Sequence, residues 1–221
     1  MVIKKLGLLL GLALMLSGCF EWIEDISFNA DGSGTYKATL NLSSSKMRIK
    51  SILSLDSLNG KPIPSLDDIH HEMDRWSEKL EQHNSINKVS YTIDRAELIL
   101  KLSIHFSKFS DFQEVIINEL NTSNREELIQ LKDWMRFDGK TFTRKRLEEL
   151  PDDFYKKWQK DEDFNKLEEA KCVFIHRFPH EIVDVDNPQL KIAKNGKNTM
   201  VQLLPLDLIK NPSQLSYTIN F

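Results

Sequence analysis

Two periods run through this chain. Tyr36, Ala38, Leu40 and Leu42 alternate with Thr35, Lys37, Thr39 and Asn41, the period of two that marks a half-buried strand. Leu66, Ile69, Met73, Trp76 and Leu80 recur every three or four residues, which predicts one apolar stripe on a helix. Pro64 stands just outside that helix, and Ser65-Leu66-Asp67-Asp68 gives it a cap with acidic residues in the first turn. Gln82 to Asn84 end it. Two heptads are too few for a coiled coil, so packing on a sheet is expected. Ser43 to Leu55 predicts an earlier helix.

The strand-like runs come in pairs with turn residues between them. Ile23 to Phe28 and Thr35 to Leu42 flank Asn29-Ala30-Asp31-Gly32-Ser33-Gly34. Val89 to Ile93 and Glu97 to Phe106 flank Asp94-Arg95-Ala96. Trp134 to Phe137 and Lys140 to Thr143 flank Asp138-Gly139, and Lys191 to Ala193 and Thr199 to Leu204 flank Asn195-Gly196. Asp-Gly and Asn-Gly are the strongest short hairpin signals, because both turn positions need positive φ. Ser110-Asp111-Phe112-Gln113 caps a further helix carrying Phe112, Val115, Ile116 and Leu120. Arg125 to Leu131 fits helix or strand, and the charged stretch Lys145 to Ala170 predicts one or two surface helices around Pro151. Lys171 to Phe178, Ile182 to Val185 and Leu215 to Phe221 are expected strands, so the last fifty residues read as all-β. Locally pairing strands with segregated helices predict an α+β fold: an antiparallel β-sheet built from hairpins, with helices packed on one face.

The amino terminus has a different character. Lys4 and Lys5 precede an apolar run from Leu6 to Leu16, too short to span a bilayer at ~20 residues and suited to the core of an export signal. Leu16-Ser17-Gly18-Cys19 follows at once and resembles the lipobox of bacterial lipoproteins. The chemistry suits that spacing. A thiolate is the soft nucleophile that takes up a diacylglyceryl group, and the small Ser17 and Gly18 leave the bond before Cys19 open to a protease. The resemblance implies cleavage between Gly18 and Cys19 by the lipoprotein-processing enzymes, and lipid on Cys19. Residues 1–18 are then a signal peptide and residues 19–221 a single extracytoplasmic α+β domain, since no composition break divides them. Two or three acyl chains anchor a protein permanently, whereas one is marginal.

Composition narrows the class. Hydrophobic residues make up 40% and charged residues 29% of the 221, which excludes a disordered chain. Loss of Lys4 and Lys5 leaves 28 basic against 33 acidic residues, a net charge of about −5. Such a body carries no basic stripe for nucleic acid, which is not expected as a partner. With Cys19 capped by lipid, Cys172 is alone, cannot form an intrachain disulfide, and reads as a buried inert thiol. Phe20 and Trp22 follow the lipobox directly; they fit the headgroup level of a membrane or the start of the first strand equally well.

Candidate chemistry is sparse. Asn29, Asp31 and Ser33 resemble the start of a calcium loop, but the position of the bidentate Glu is Leu40 and the flanks are strands, so a hairpin is expected. His70-His71-Glu72 with Asp74 is the best metal candidate, and His70 and Asp74 share a helix face. Zinc sites take three or four ligands from several segments, and His83, His105, His176 and His180 supply no recognisable second half. No metal or cofactor is therefore assigned. His176 and His180, around Phe178 and next to Pro179, are expected as satisfied sheet histidines. No nucleophile elbow, phosphate loop or dinucleotide fingerprint occurs, so no catalytic residue is assigned and an enzyme is not expected.

Two further stretches carry a resemblance. The Asp31-Gly32-Ser33-Gly34 hairpin soon after Cys19, and Phe178-Pro179-His180-Glu181-Ile182-Val183 followed by Asn195-Gly196-Lys197-Asn198-Thr199, look like envelope lipoproteins with an LppM-like domain. The match covers the two ends of the chain, and Met200 and Val201 stand where members often place a tryptophan. The resemblance implies a non-enzymatic envelope domain that contacts lipids or glycolipids; the expected partner is an unknown envelope protein or a lipid-like ligand. Phe20, in place of Asp, follows the cysteine, which implies the outer membrane in a Gram-negative host. The expected function is a lipid-anchored interaction or structural domain at the membrane surface. The alternative is a binder or carrier of a lipid-like ligand between the sheet and the 66–80 helix, and a less favoured one an envelope hydrolase.

Overall fold

The computed structural model describes residues 20–58, 61–121, 134–145 and 169–221. The lipobox, the 125–131 stretch and most of the 145–170 stretch lie outside the described residues. The strands are β1 (Glu21–Phe28), β2 (Gly34–Asn41), β3 (Ser57–Leu58), β4 (Lys61–Pro62), β5 (Ile86–Asp94), β6 (Ile99–Phe106) and β7 (Met135–Phe137). They continue with β8 (Thr141–Arg144), β9 (Lys171–Arg177), β10 (Asp184–Val185), β11 (Lys191–Ile192), β12 (Asn198–Leu203) and β13 (Tyr217–Asn220). The helices are α1 (Lys46–Leu53), α2 (Leu66–Glu81), α3 (Phe109–Asn121) and α4 (Pro205–Lys210).

The expected α+β class and the four hairpins are present. β1–β2, β5–β6, β7–β8 and β11–β12 all pair antiparallel across the turns read from the sequence. The first turn holds because Gly32 takes φ +83° and the Asp31 carboxylate accepts from the Ser33 backbone N–H and hydroxyl. Those bonds hold the Asp31 carboxyl below its ordinary range. Asn29, Asp31 and Ser33 thus bond to one another as turn residues. Gly34 opens β2 for a different reason: a Cβ there would overlap the Ser27 carbonyl oxygen and the Phe106 ring.

The strands assort into a seven-stranded sheet, β11-β12-β9-β1-β2-β6-β5, a four-stranded sheet, β10-β13-β8-β7, and a small β3-β4 ribbon. Two features depart from a simple antiparallel sheet. β1 and β9 are parallel neighbours at its centre, in register from Glu21 opposite Lys171 to Ser27 opposite Arg177. Arg177 spans this pair on its outer surface with a two-pronged bond to Asp25, Nη2 to Oδ2 at 2.8 Å and Nε to Oδ1 at 3.0 Å. The expected all-β tail is also interrupted by α4 and a 3-10 turn at Pro212–Leu215. Pro205 at the first helical position, Asp207 in the first turn and Lys210 in the last are helix signals at each end.

One face of the large sheet carries the core. Register puts Glu24, Ile26 and Phe28 of β1 beside Ala38, Tyr36 and Gly34 of β2, and Leu102, Ile104 and Phe106 of β6 continue the rows. α2 and α3 pack over the β2-β6-β5 half of this face: Phe112 lies 5.4 Å from Tyr36 and 5.1 Å from Phe106, ring to ring. The four-stranded sheet packs over the other half, with Phe142 of β8 4.7 Å from His176 of β9. The helices therefore share one face, as expected, but share it with a second sheet. α3 is tied to that second sheet where the Gln113 side chain donates to the Met135 carbonyl (2.7 Å) and accepts its N–H (3.0 Å). At the sheet's far end Phe28 meets the rings of Phe109, Phe137, Phe142 and Phe178 at 4.8, 4.4, 5.6 and 5.6 Å, joining all the layers.

Candidate membrane-facing site

The described fold starts one residue after Cys19. The Phe20 carbonyl already accepts the Lys171 N–H at 2.9 Å, and β1 is paired on both sides from Glu21 onward. The central strand of the large sheet therefore begins two positions after Cys19 in the sequence. Trp22 faces the core side and packs against it, which resolves its two sequence roles in favour of the strand.

Antiparallel pairing brings other elements to this end. Asn41 at the end of β2 lies opposite Glu21, and Ile99 at the start of β6 lies opposite Asn41. The β5–β6 turn and α1 follow from that. α1 sits on the turn: Ile49 and Leu98 are buried together with Leu42, Ile52, Leu53 and Leu66 packed round them. Lys46 Nζ donates to both Glu97 carboxylate oxygens at 2.8 and 2.9 Å, and Lys50 Nζ donates to the Ala96 carbonyl at 2.9 Å. Leu98 is held at φ +57°, a left-handed conformation costly for a branched side chain, by its burial and by its carbonyl accepting the Leu42 N–H.

Beneath this end lies a buried charge pair. Arg144 Nη1 donates to Glu24 Oε1 at 2.6 Å, and both side chains are almost wholly buried between the two sheets. The guanidinium lies over the Phe174 ring at 4.7 Å and the Trp134 ring at 5.1 Å. Tyr36 is coupled electrostatically to Glu24, and Tyr217 to Arg144. Burial alone would draw the Arg144 pKa down, but Glu24 and then Tyr217 outweigh it and leave it raised. Burial drives the Tyr36 hydroxyl well up, with Glu24 adding to it. Tyr217 is pushed up to about 12 by burial, partly offset by Arg144. Cys172 is buried and pushed up to about 12, by burial first and then by Glu24, which is the inert thiol the sequence suggested.

The histidines are dispersed. His70 and Asp74 on α2 meet as their spacing predicts, Nδ1 to Oδ2 at 3.1 Å, and the third member is Tyr91 of β5. The Tyr91 hydroxyl donates to the Asp74 carboxylate and lies 2.8 Å from His70 Nδ1. Burial, followed by Asp74, raises the Tyr91 pKa, while the Tyr91 bond lowers that of Asp74. This trio clips α2 to the sheet, and beneath it Met73 and Leu80 are buried in that contact. His71 is exposed, and the Glu72 carboxylate is bonded by Arg75. His83 and Lys79 both reach Glu119, and His105 reaches Thr35. His180 lies beyond β9, with its ring 6.4 Å from Phe221. Among the described residues no group of three or more His, Cys, Asp or Glu could hold a metal, and no helix is long and apolar enough to cross a membrane.

His176 is the exception in burial. It lies in β9 among Phe142, Phe178 and Tyr217, with Thr199 Oγ1 3.5 Å from Nδ1 and the Tyr217 hydroxyl 3.4 Å from Nε2. Burial, with Arg144 adding to it, draws its pKa well below 6.5. The unfolded chain therefore binds this proton below about pH 6.5 and the folded chain does not. Stability is full above that pH and falls as the pH drops below it, by up to about 1.4 kcal/mol per unit. Denaturant midpoints between pH 7.5 and pH 5 will show this slope, and His176→Phe will lose that part of it. An unchanged slope in the variant would mean that His176 takes up its proton in the folded state.

The sequence pattern does not single out Glu24 and Arg144 as a pair. A signal was present for one of them, since Glu24 breaks the apolar register Trp22, Ile26, Phe28 on a single strand face. Arg144 carries no such mark, because its partner is distant in the chain. The other edge of the sheet, β5, has no strand neighbour among the described residues. Its Val89 N–H is instead taken by the Glu81 carboxylate at 2.6 Å, and Lys88 and Thr92 place polar side chains along it.

No protein-family model matches this chain, and no curated protein matches it. Among solved structures it is similar to the NMR structure of the folded domain of Mycobacterium tuberculosis LppM. The two share 12% identity with a TM-score of 0.39, over 91% of this chain and 88% of that one. No residue role transfers with that likeness.

Proposed function

We propose that this protein is a lipid-anchored domain of the bacterial cell envelope, attached through Cys19 and acting by contact, not by catalysis. The observation that carries it is the absence of a spacer: Phe20 is bonded into the sheet, one residue after the cysteine of a Leu-Ser-Gly-Cys lipobox. Adjacent Cα atoms stand about 3.8 Å apart, so lipid on Cys19 holds the end of the sheet at the headgroups. The body then faces its partner at a fixed height. The partner in this reading is another envelope protein, and polar residues line the β5 edge, which has no strand neighbour among the described residues. In a Gram-negative host the membrane is the outer one.

Intact mass of the protein extracted from membranes tests this directly, beside a Cys19→Ser form. The expected result is a diacyl or triacyl mass on a chain beginning at Cys19, and transfer of the variant to the soluble fraction. An unmodified chain, or one cleaved at another bond, would remove the anchor and the orientation with it.

A further inference from the structure

β5 is nine residues long and has no strand neighbour on its outer side among the described residues. The Leu42 N–H bonds to the Leu98 carbonyl, so Leu98 and every second residue of β6 after it turn their backbone groups to β2. The residues between them face β5, where Asp94, Thr92, Ser90 and Lys88 stand opposite. The N–H and C=O groups of Val89, Tyr91 and Ile93 are left pointing out of the sheet. The Val89 N–H agrees, since Glu81 takes it from that side. The side chains along this edge are self-complementary. About Tyr91, Ser90 mirrors Thr92, Val89 mirrors Ile93 and Lys88 mirrors Asp94. Lys88 is exposed and makes no ion pair among the described residues. One oxygen of Asp94 accepts the Ala96 and Glu97 N–H groups at 2.9 Å, which leaves its charge without a cation among the described residues.

We infer that β5 pairs antiparallel with β5 of a second copy, about a two-fold axis at Tyr91. Tyr91 then exchanges both backbone bonds with its counterpart, and Val89 and Ile93 meet as apolar pairs on the inner face. On the outer face Ser90 meets Thr92, and each Lys88 meets the Asp94 of the other copy. Axes at Ser90 or Thr92 also match the outward groups, but they set Lys88 opposite Thr92 or beyond the end of the strand. Only the Tyr91 axis pairs the charges, so the residues that discourage other strands fit this one. Glu81 is exposed and stands where the Ile93 carbonyl of the other copy arrives, so it turns aside as the pair closes. Strand direction alternates from β1 through β2 and β6 to β5 and reverses across the axis. The two copies therefore begin β1 at opposite ends of the joined sheet. The pairing does not depend on the anchored reading above; where that reading holds, the pair joins copies on two facing bilayers.

Disulfide trapping in the full chain tests the register. Cys19→Ser removes the lipobox thiol and makes the test independent of the anchor, and Cys172 is buried. One preparation carries Ser90→Cys and another Thr92→Cys. Opposed residues of a non-hydrogen-bonded pair stand about 4.5 Å apart at Cα, within reach of a disulfide, whereas the diagonal between the two copies of position 90 is about 7–8 Å and out of reach. The expected result is covalent dimer formation about tenfold faster in the mixture than in either preparation alone. Lys88→Glu in both partners is expected to slow it about tenfold, a loss that shrinks at about 1 M salt. Trapping of Ser90→Cys by itself as fast as the mixture, no trapping at all, or indifference to Lys88→Glu overturns the pairing. Vesicles carrying the lipidated chain are expected to cluster, and Lys88→Glu to disperse them. Dispersed vesicles beside a positive trap would remove the facing-bilayer orientation and leave the pairing standing.

Discussion

Glu24→Ala will cost about 3–5 kcal/mol of folding stability, read as a shift of the urea midpoint at constant slope. The size follows from what is left behind. Arg144 is 3% exposed, its Nη1 loses the carboxylate 2.6 Å away, and the rings of Trp134 and Phe174 offer only their faces in return. A buried ion without its partner is costly, whereas a buried pair is worth little against an apolar pair of the same volume. Glu24→Leu combined with Arg144→Met is therefore expected to recover most of the loss, although it removes the same interaction. If the single variant costs under about 1 kcal/mol, water reaches the guanidinium and the pair is not sealed between the sheets.

Phe28→Ala is the second large effect, about 3–5 kcal/mol. Phe28 is 5% exposed and touches rings from α3, β7, β8 and the segment after β9, so no single neighbour can move in to fill the space. Phe28→Leu keeps most of the volume and is expected to cost under about 2 kcal/mol. The two variants measured by the same denaturant titration separate the cavity from the loss of ring contacts. Equal losses would show that ring stacking, not volume, holds this end of the molecule.

Much of this architecture is legible in the sequence because it is local. The four hairpins are written in Gly-containing turns or polar tripeptides between alternating runs, and α2 in its stripe and Ser65 cap, whose side chain accepts the Asp68 N–H as the spacing predicts. The His70–Asp74 contact is local in the same way. What is not local was not legible. The parallel β1–β9 pairing leaves both strands with the same alternation that an antiparallel pair would need. The second sheet could not be separated from the first, since a hairpin's pattern says that a face is buried and not against what. Tyr91 joining His70 and Asp74, and Arg144 joining Glu24, depend on strand order alone. α4 is not legible either, because Leu206, Leu208 and Ile209 in a short run suit either element, and Pro205 at the first helical position decides it.

The neighbours of the first strand also set an order of events. β2 follows β1 directly and closes it on one side within a single turn, but its other edge belongs to β9, which begins only at Lys171. A chain made from its amino end therefore carries a half-finished sheet, with one edge of β1 still lacking β9, until most of its length has emerged. Pairings so distant in sequence close slowly, and an open strand edge invites pairing with another chain meanwhile. The molecule's central seam can be sewn only once Lys171–Arg177 has emerged, so holding factors matter most for this chain before its final quarter has been made.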